Sequence, residues 1–405
     1  MKSETIFRNA EIMIPQNVDL SLWSVIACDQ FTSDIDYWKS VEKLVANSPS
    51  TLDYILPEAY LGSEKEAETK KRIKEKMKAV NVSDYDIFDG FVYVVRTLPD
   101  GSVREGVVGA IDLEEYDYSP DSNSKIRATE ETVQSRIPAR VEIRKSADYE
   151  LPHIMVFVPS ECKIIDEAGL LVSGDDPLYD FELMMGGGHV KGYKITGNEA
   201  DSLLKRIAAY EQSGRDVLYA IGDGNHSLAA AKARYSELKE EIGDIALSHP
   251  LRYALCEIIN IGSDSIFFEP IYRIVTNCDV YDLLKALDEE TSGTGTQQIT
   301  VITKDIRSEM NFTSPSSPLT VGSVQNFIDG YLNHFPKAQC DYIHGRKDLI
   351  KLSLKDGAVG FIFDGIDKED LFEYVSRYGP YPRKTFSMGD ARSKRYYLEM
   401  RKIKE

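Results

Sequence analysis

The chain has 405 residues, 42% of them hydrophobic and 28% charged, and a formal net charge of −18. That length exceeds one ordinary core and predicts two domains, or one with large insertions, and the composition is that of a folded chain. The acidic balance excludes an extended duplex-binding surface, which needs clustered Lys and Arg, yet still allows an anionic small molecule in a local positive pocket.

The N-terminal stretch MKSETIFRNAEIMIP has no apolar core of signal-peptide length, and no run reaches membrane-spanning length. Cys28, Cys162, Cys256, Cys278 and Cys340 are scattered, never in a CxxC pair, which suits reduced thiols. The expectation is therefore a cytoplasmic protein without nucleic-acid or membrane partners; a homodimer is left open.

In chain order, LWSVIA leads into ACDQF (27–31), and residues 33–46 (SDIDYWKSVEKLVA) carry helical spacing behind Ser/Asp cap candidates. Residues 63–80 form a second, highly charged helix. FVYVVRT, the turn LPDG and VREGVVGAIDL read as a hairpin. The segment IRATEETVQSRIPARVEIR (126–144) is unusually basic for this chain, with Arg127, Arg136, Arg140 and Arg144, and Lys145 next to it. It reads either as an anion-gripping segment or as a solvated basic face. HIMVFV (153–158) is a buried strand. GGGH (186–189) is either a backbone wrap around a ligand, with His189 beside it, or a glycine turn with a half-buried histidine.

The helix EADSLLKRIAAYEQ (199–212) precedes the strand DVLYAIG (216–222), which runs into DGNHS and then an alanine-rich helix. A strand that ends in Asp223-Gly224-Asn225-His226-Ser227 at the start of a helix has a physical reading. The first helical turn offers unpaired N–H groups and partial positive charge, which suit a phosphate or carboxylate. Gly224 supplies the tight turn, and Ser227 or Asn225 a cap or phosphate hydrogen bond. Asp223 is placed to hold Mg²⁺ between phosphate oxygens, and His226 to donate to phosphate or act as acid/base. A plainly well-capped helix is the competing reading. Beyond about residue 266, helices and strands alternate (DVYDLLKAL, QITVIT, VGSVQNFIDGYLNHF, AVGFIFDG, KEDLFEYVSRY), predicting a second α/β domain, before the run GPYPRKTFSMGDARSKRYY.

Strand–DGNHSLAAAKA resembles the DGxHR-type loop of the ParB/sulfiredoxin-like superfamily. More closely, the chain resembles the domain-of-unknown-function 1015 family through SVIACDQFTSDIDYW, IRATEETVQSRIPARVEIR, LPHIMVFV, LYDFELMMGGGHVKGYKI, IGDGNHSLAAAKA, FEPIYRIV and YPRKTF, in that order. The resemblance implies a ParB/sulfiredoxin-like mixed-sheet domain with insertions over 1–265, binding nucleotide, and a smaller α/β domain over 266–405. The superfamily includes nucleotide hydrolases, sulfiredoxins and kinases of free L-serine. It thus implies an ATP- or ADP-dependent phosphotransferase with Mg²⁺ acting on a small hydroxyl substrate, free L-serine foremost. The alternative is a non-catalytic nucleotide or phosphometabolite sensor.

Residue by residue, the family carries a Tyr-Asp pair at the place of Asp29, implying a catalytic carboxylate, against a helix-preceding cap on the residues alone. A His-Glu-x-Thr element matches Glu130 and Thr132 but not the histidine, implying Glu130 as metal ligand or base. Arg127, Arg140, His189, Arg383 and Lys384 are implied phosphate or nucleotide ligands, the last two on the loop PYPRKTF. Asp223 is the implied metal ligand. The superfamily loop ends in arginine where this chain has Ser227, so another cation must take over the grip on phosphate.

Overall fold

The computed structural model describes residues 5–132, 134 and 137–404. The chain forms two compact units, one built from residues 1–266, 371–380 and 389–405, the other from 267–370 and 381–388. A single cut after residue 265 thus differs from what the chain does. It leaves the first unit once, returns with a helix, leaves again for eight residues and comes back to finish there.

In the first unit the strands are β1 (Phe7–Arg8), β2 (Ala10–Pro15), β3 (Tyr85–Thr97), β4 (Val103–Asp112), β5 (Ile126–Ala128), β6 (Tyr149–Glu150), β7 (Met155–Val158), β8 (Tyr179–Glu182), β9 (His189–Thr196), β10 (Tyr219–Asp223) and β11 (Tyr253–Asn260). Among the described residues, ten of them make one sheet in the order β5-β10-β7-β11-β4-β3-β9-β8, with β1 also on β4 and β2 also on β3. The sheet is mixed: β10 runs parallel to β5 and β11 parallel to β7, while the β3–β4 hairpin and the β9 pairing are antiparallel. β7 and the middle of β11 are buried along their whole length, the mark of strands covered on both faces.

The covering helices are α1 (Leu20–Trp23), α2 (Ile35–Val45), α3 (Glu64–Lys78), α4 (Ile137–Ser146), α5 (Ile164–Leu171), α6 (Gly197–Glu211) and α7 (Asn225–Ile242). In α2, Tyr37, Trp38, Val41 and Val45 share the buried face, and Asp34 caps the Tyr37 amide, the amphipathic spacing read in the sequence. In α7 the run Leu228–Ala231 is buried, and Ala229 and Ala230 pack against Ile137 and Val141 of α4. Small side chains let these two helices approach closely, which fixes α4 beside the start of α7.

The second unit contains β12 (Phe268–Thr276), β13 (Thr291–Ser292), β14 (Gln298–Ile302), β15 (Arg307–Phe312), β16 (Gln339–His344), β17 (Val359–Phe363) and β18 (Phe386–Met388), with helices α8 (Val280–Glu290), α9 (Thr320–His334) and α10 (Arg346–Ser353). Its sheet order is β13-β15-β14-β17-β12-β16, with β18 on β12, and those pairings are antiparallel. The alternation of helix and strand predicted an α/β unit without fixing the direction of its strands. The β14–β15 hairpin and the half-exposed β16, whose weak pattern hides it in the sequence, make the sheet antiparallel.

Two segments close the first unit. Helix α11 (Leu371–Tyr378) packs there, and the Arg127 guanidinium, almost fully buried, donates to the Val375 carbonyl at 3.2 Å. Strand β19 (Arg401–Lys402) pairs with β6, and Tyr396 bridges Ile26 in an antiparallel contact.

Candidate active site

β10 ends at Asp223 and α7 starts two residues later. Between them Gly224 sits at φ 82°, ψ 23°, the left-handed region. A Cβ there would also stand 3.1 Å from the Ile154 backbone, so both the turn and the close approach of β7's leading segment require glycine. The Ser227 and Leu228 amides donate back to the Gly224 carbonyl at 2.9 and 3.0 Å. Asn225 and His226, both half-buried, open the helix ahead of them. The loop is therefore a helix start fed directly by a strand end, as its residue types predicted.

Three distant segments converge on it. The first is 151–154. Pro152 has no N–H for a ladder, β7 begins only at Met155, and His153 is freed from the sheet. Its Nε2 lies 3.1 Å from Ser227 Oγ and its Nδ1 2.9 Å from Tyr397 Oη. The second is 25–30, which pairs with 395–397: the Ala27 amide donates to the Arg395 carbonyl and the Tyr397 amide to the Val25 carbonyl. That pairing brings Asp29 to 3.8 Å from His153 Nε2, with Gln30 donating to its other oxygen at 3.0 Å. The third is the C-terminal strap 392–397, whose Lys394 Nζ stands 3.6 Å from Asp223 Oδ2.

What holds the strap is a charged core. Arg96 on β3, 3% exposed, donates to the carbonyls of Arg392, Lys394 and Gly187, and Arg104 on β4, 2% exposed, donates to the Ser393 carbonyl at 2.8 Å. Next to them Arg395 is paired with Glu257 and Glu399 at 2.7 Å each and donates to the Pro152 carbonyl at 2.7 Å. Buried guanidiniums with several acceptors are costly to leave unpaired, by about 1–3 kcal/mol per lost partner and more for charged groups. The same network therefore fixes Lys394 from one side and the residue preceding His153 from the other.

The two carboxylates face opposite electrostatic fates. Burial pushes Asp223 up, and the neighbouring Asp29 charge adds to it, against the pull of Lys394 and His153. Burial also raises Asp29, but His153, the Gln30 hydrogen bond, Lys394 and Arg140 outweigh it and hold the carboxyl below its usual value. Pairs of carboxylates pushed apart in this way mark acid/base assignments. Burial pushes the neighbouring Cys28 thiol up to about 11, so it stays protonated.

Of the other sequence-predicted residues, Glu130 belongs with the loop. β5 and β10 run parallel with Ala128 opposite Ile221; Glu130 and Asp223, each two residues further, lie at the same end of the sheet. The Thr129 hydroxyl ties the two strands by donating to the Ile221 carbonyl. Arg140 on α4 forms an ion pair with Glu58 and, with Ser227 and His153, lines a cavity of about 170 Å³. Arg127 is placed differently from expectation, spent on the carbonyls of Ser124, Val375 and Ser376. His189 is paired with Asp180 at 2.8 Å on β9 and β8, and four strands of the sheet separate β9 from β10. The GGGH turn and the residues leading into it meet the chain itself: Arg96 donates to the Gly187 carbonyl, Tyr396 to that of Met184 and Arg392 to that of Met185. Arg383 and Lys384 are exposed on the second unit. Arg136 lies outside the described residues.

A metal ion is not part of the structure, so its fit rests on the donors. Among the described residues no group of three or more His, Cys, Asp and Glu is poised for a metal. Asp223 Oδ2, however, is buried without a hydrogen-bond partner. One or two carboxylates completed by substrate phosphates is how Mg²⁺ is usually held, and Asp223 fits that mode.

The family described as "Protein of unknown function (DUF1015)" matches residues 11–402. The chain belongs to that family. No curated protein matches this DUF1015 chain. Solved structures similar to it include a free serine kinase mutant in complex with ADP, 14% identical with a TM-score of 0.41, covering 76% of this chain and 95% of that one. Free serine kinase in complex with AMP is 14% identical with a TM-score of 0.40, covering 73% and 91%. A conserved hypothetical protein from Pyrococcus furiosus is 14% identical with a TM-score of 0.37, covering 71% and 92%.

Sequence reasoning missed His153, Lys394 and Tyr397 of this DUF1015 chain. LPHI carried one usable signal: a histidine after proline and before a buried apolar run is displaced from its strand. Lys394 had none, because its partner Asp223 lies 171 residues away in sequence.

Proposed function

We propose that this protein is a nucleotide-dependent small-molecule phosphotransferase, using ATP or ADP with Mg²⁺, and that free L-serine is its acceptor. The observation that carries the reading is the gathering of Asp29, His153 and Lys394 around Asp223 at the strand-to-helix turn. Fixed cations and carboxylates beside a helix N-terminus are what phosphoryl transfer requires, since positioning and electrostatics supply most of its acceleration.

In this reading the amides at Asn225 and His226 and the Ser227 hydroxyl receive phosphate oxygens. Lys394 and Arg140 stand in for the arginine that position 227 lacks. Mg²⁺, held by Asp223 together with ligand oxygens, would supply charge neutralisation on the phosphates. Asp29, ionised at neutral pH, accepts the proton of the acceptor hydroxyl as that oxygen forms its bond to phosphorus. The bond from phosphorus to the nucleotide oxygen breaks, and the electron pair leaves with the nucleotide. His153 orients Asp29 while its other nitrogen is held by Tyr397. Glu130 is a second carboxylate at the same sheet end.

The test is calorimetry with ATP and ADP, with and without Mg²⁺, followed by phosphorus NMR of protein incubated with serine and nucleotide. Phosphoserine formation is expected. Binding without turnover over hours would leave the sensor, and absence of nucleotide binding would remove both.

A further inference from the structure

The cavity beside Ser227 has a composition that a free amino acid does not match. Its walls include Ile55, Leu56, Met77, Ile143, Leu151 and Ile154, with Arg140, Glu58, His153 and Ser227 among its polar groups. The charges in the lining are already spent on each other, Arg140 on Glu58 and Arg144 on Glu150, so a zwitterion buried against such walls would lose hydration at both charges and have to break these pairs to regain partners. A heteroaromatic ring has apolar faces and a polar edge, and suits the same walls.

Size points the same way. About 170 Å³ is well below the roughly 300–1,000 Å³ of pockets that enclose a whole drug-sized ligand, whereas an engineered apolar cavity of ~150 Å³ takes up benzene. One flat aromatic base fits, and a whole nucleotide does not. Position completes the argument. Ser227 and Ala230 both line the cavity, and residues three apart lie on one helix face, about 4.5 Å apart along the axis. The cavity therefore opens within one turn of the α7 start, where the phosphates are assigned.

We propose that this cavity receives the base of the nucleotide, leaving the phosphates at the 223–227 turn and the acceptor on the Asp29 side. The proposal rests on the phosphotransferase reading, and the experiment separates the two. Full-length protein is titrated with ATP, with inorganic tripolyphosphate and with serine, all in Mg²⁺, for the wild type and for Leu151→Trp and Ile143→Trp, each of which fills the cavity from a different wall. Melting temperatures are recorded for each, and a variant that fails to fold leaves the other to decide.

The expected result is at least a tenfold loss of ATP affinity with tripolyphosphate affinity unchanged within twofold. Unchanged ATP affinity in a folded variant overturns the proposal. So does an equal loss for both phosphate ligands, or a loss confined to serine, which would give the cavity to the acceptor. If the wild type binds no ATP, the phosphotransferase reading falls and takes the cavity assignment with it; if the wild type binds ATP and a folded variant binds it equally well, the cavity assignment falls alone.

Discussion

Two loops of this protein are held by the same device and end with different equipment. In the first unit, Arg96 and Arg104 grip the carbonyls of the 392–394 strap from beneath. In the second, Arg273, wholly buried, donates to the carbonyls of Lys384 and Arg383 at 2.9 and 3.3 Å and to Gln325 at 2.7 Å. Lys384 is held at φ 58° there, a left-handed conformation that costs a non-glycine residue about 1–2 kcal/mol. A buried guanidinium gripping carbonyls rigidifies a loop whatever the loop then carries. The strap delivers Lys394 to Asp223, whereas the 381–386 turn presents Arg383 and Lys384 to solvent. The lesson is that rigidity alone does not mark a site; what differs between the loops is that one of them carries a cation to an under-partnered carboxylate.

The sharpest way to break this contrast is Asp29→Asn. Loss of a general base lowers turnover by about 10²–10⁴-fold, and nucleotide affinity measured by calorimetry should stay within a few-fold. Equal losses in both would make Asp29 a ligand contact only.

Lys394→Met comes next. A charge-assisted contact is worth about 1.5–3 kcal/mol, so nucleotide affinity should fall by roughly ten- to a hundredfold. The sign for pH follows from the charges. Lys394 lowers both Asp29 and Asp223, so its removal raises both, and the acid limb of the turnover profile moves to higher pH. In the wild type, the stability that Asp29 contributes is present above its unfolded value and lost as pH falls through its depressed folded value. Asp223, raised by burial, works the opposite way, weakening the fold as pH rises through its folded value. A profile whose acid limb stays in place would separate Lys394 from the carboxylates.

Gly224→Ala should weaken nucleotide binding and lower stability by about 1–2 kcal/mol, the cost of a left-handed alanine, read by chemical denaturation and calorimetry together. The smallest effect tests the other loop. Arg383→Ala with Lys384→Ala should weaken nucleotide affinity by a few-fold if the turn meets the ligand, as the family motif implies. An unchanged affinity would confine the turn to a structural role.

Local chemistry was legible in the sequence wherever one segment carried the whole signal. The 223–227 turn announced itself because strand, glycine and helix are contiguous, and Gly224 adopts the conformation its residue type predicted. Helices α2 and α3 and the β3–β4 hairpin were equally readable, since periodicity and turn residues are local properties. Basic density was a weaker guide. The arginines of 126–144 share a short segment but not a destination: Arg127 staples α11, Arg140 reaches the cavity, and Arg144 pairs with Glu150.

By itself, then, the order of residues determined the family, the mixed α/β character of the first unit and the helix start with its acidic, glycine and serine neighbours, because each depends on interactions within a few residues. Tertiary structure alone decided that Asp29, His153 and Lys394 meet at Asp223, that His189 does not, and that the chain returns after residue 388 to close the first unit. The physical reason is range. Ion pairs and buried guanidinium contacts act over a few ångströms in space without regard to sequence separation, and only the folded sheet sets which distant residues share those few ångströms.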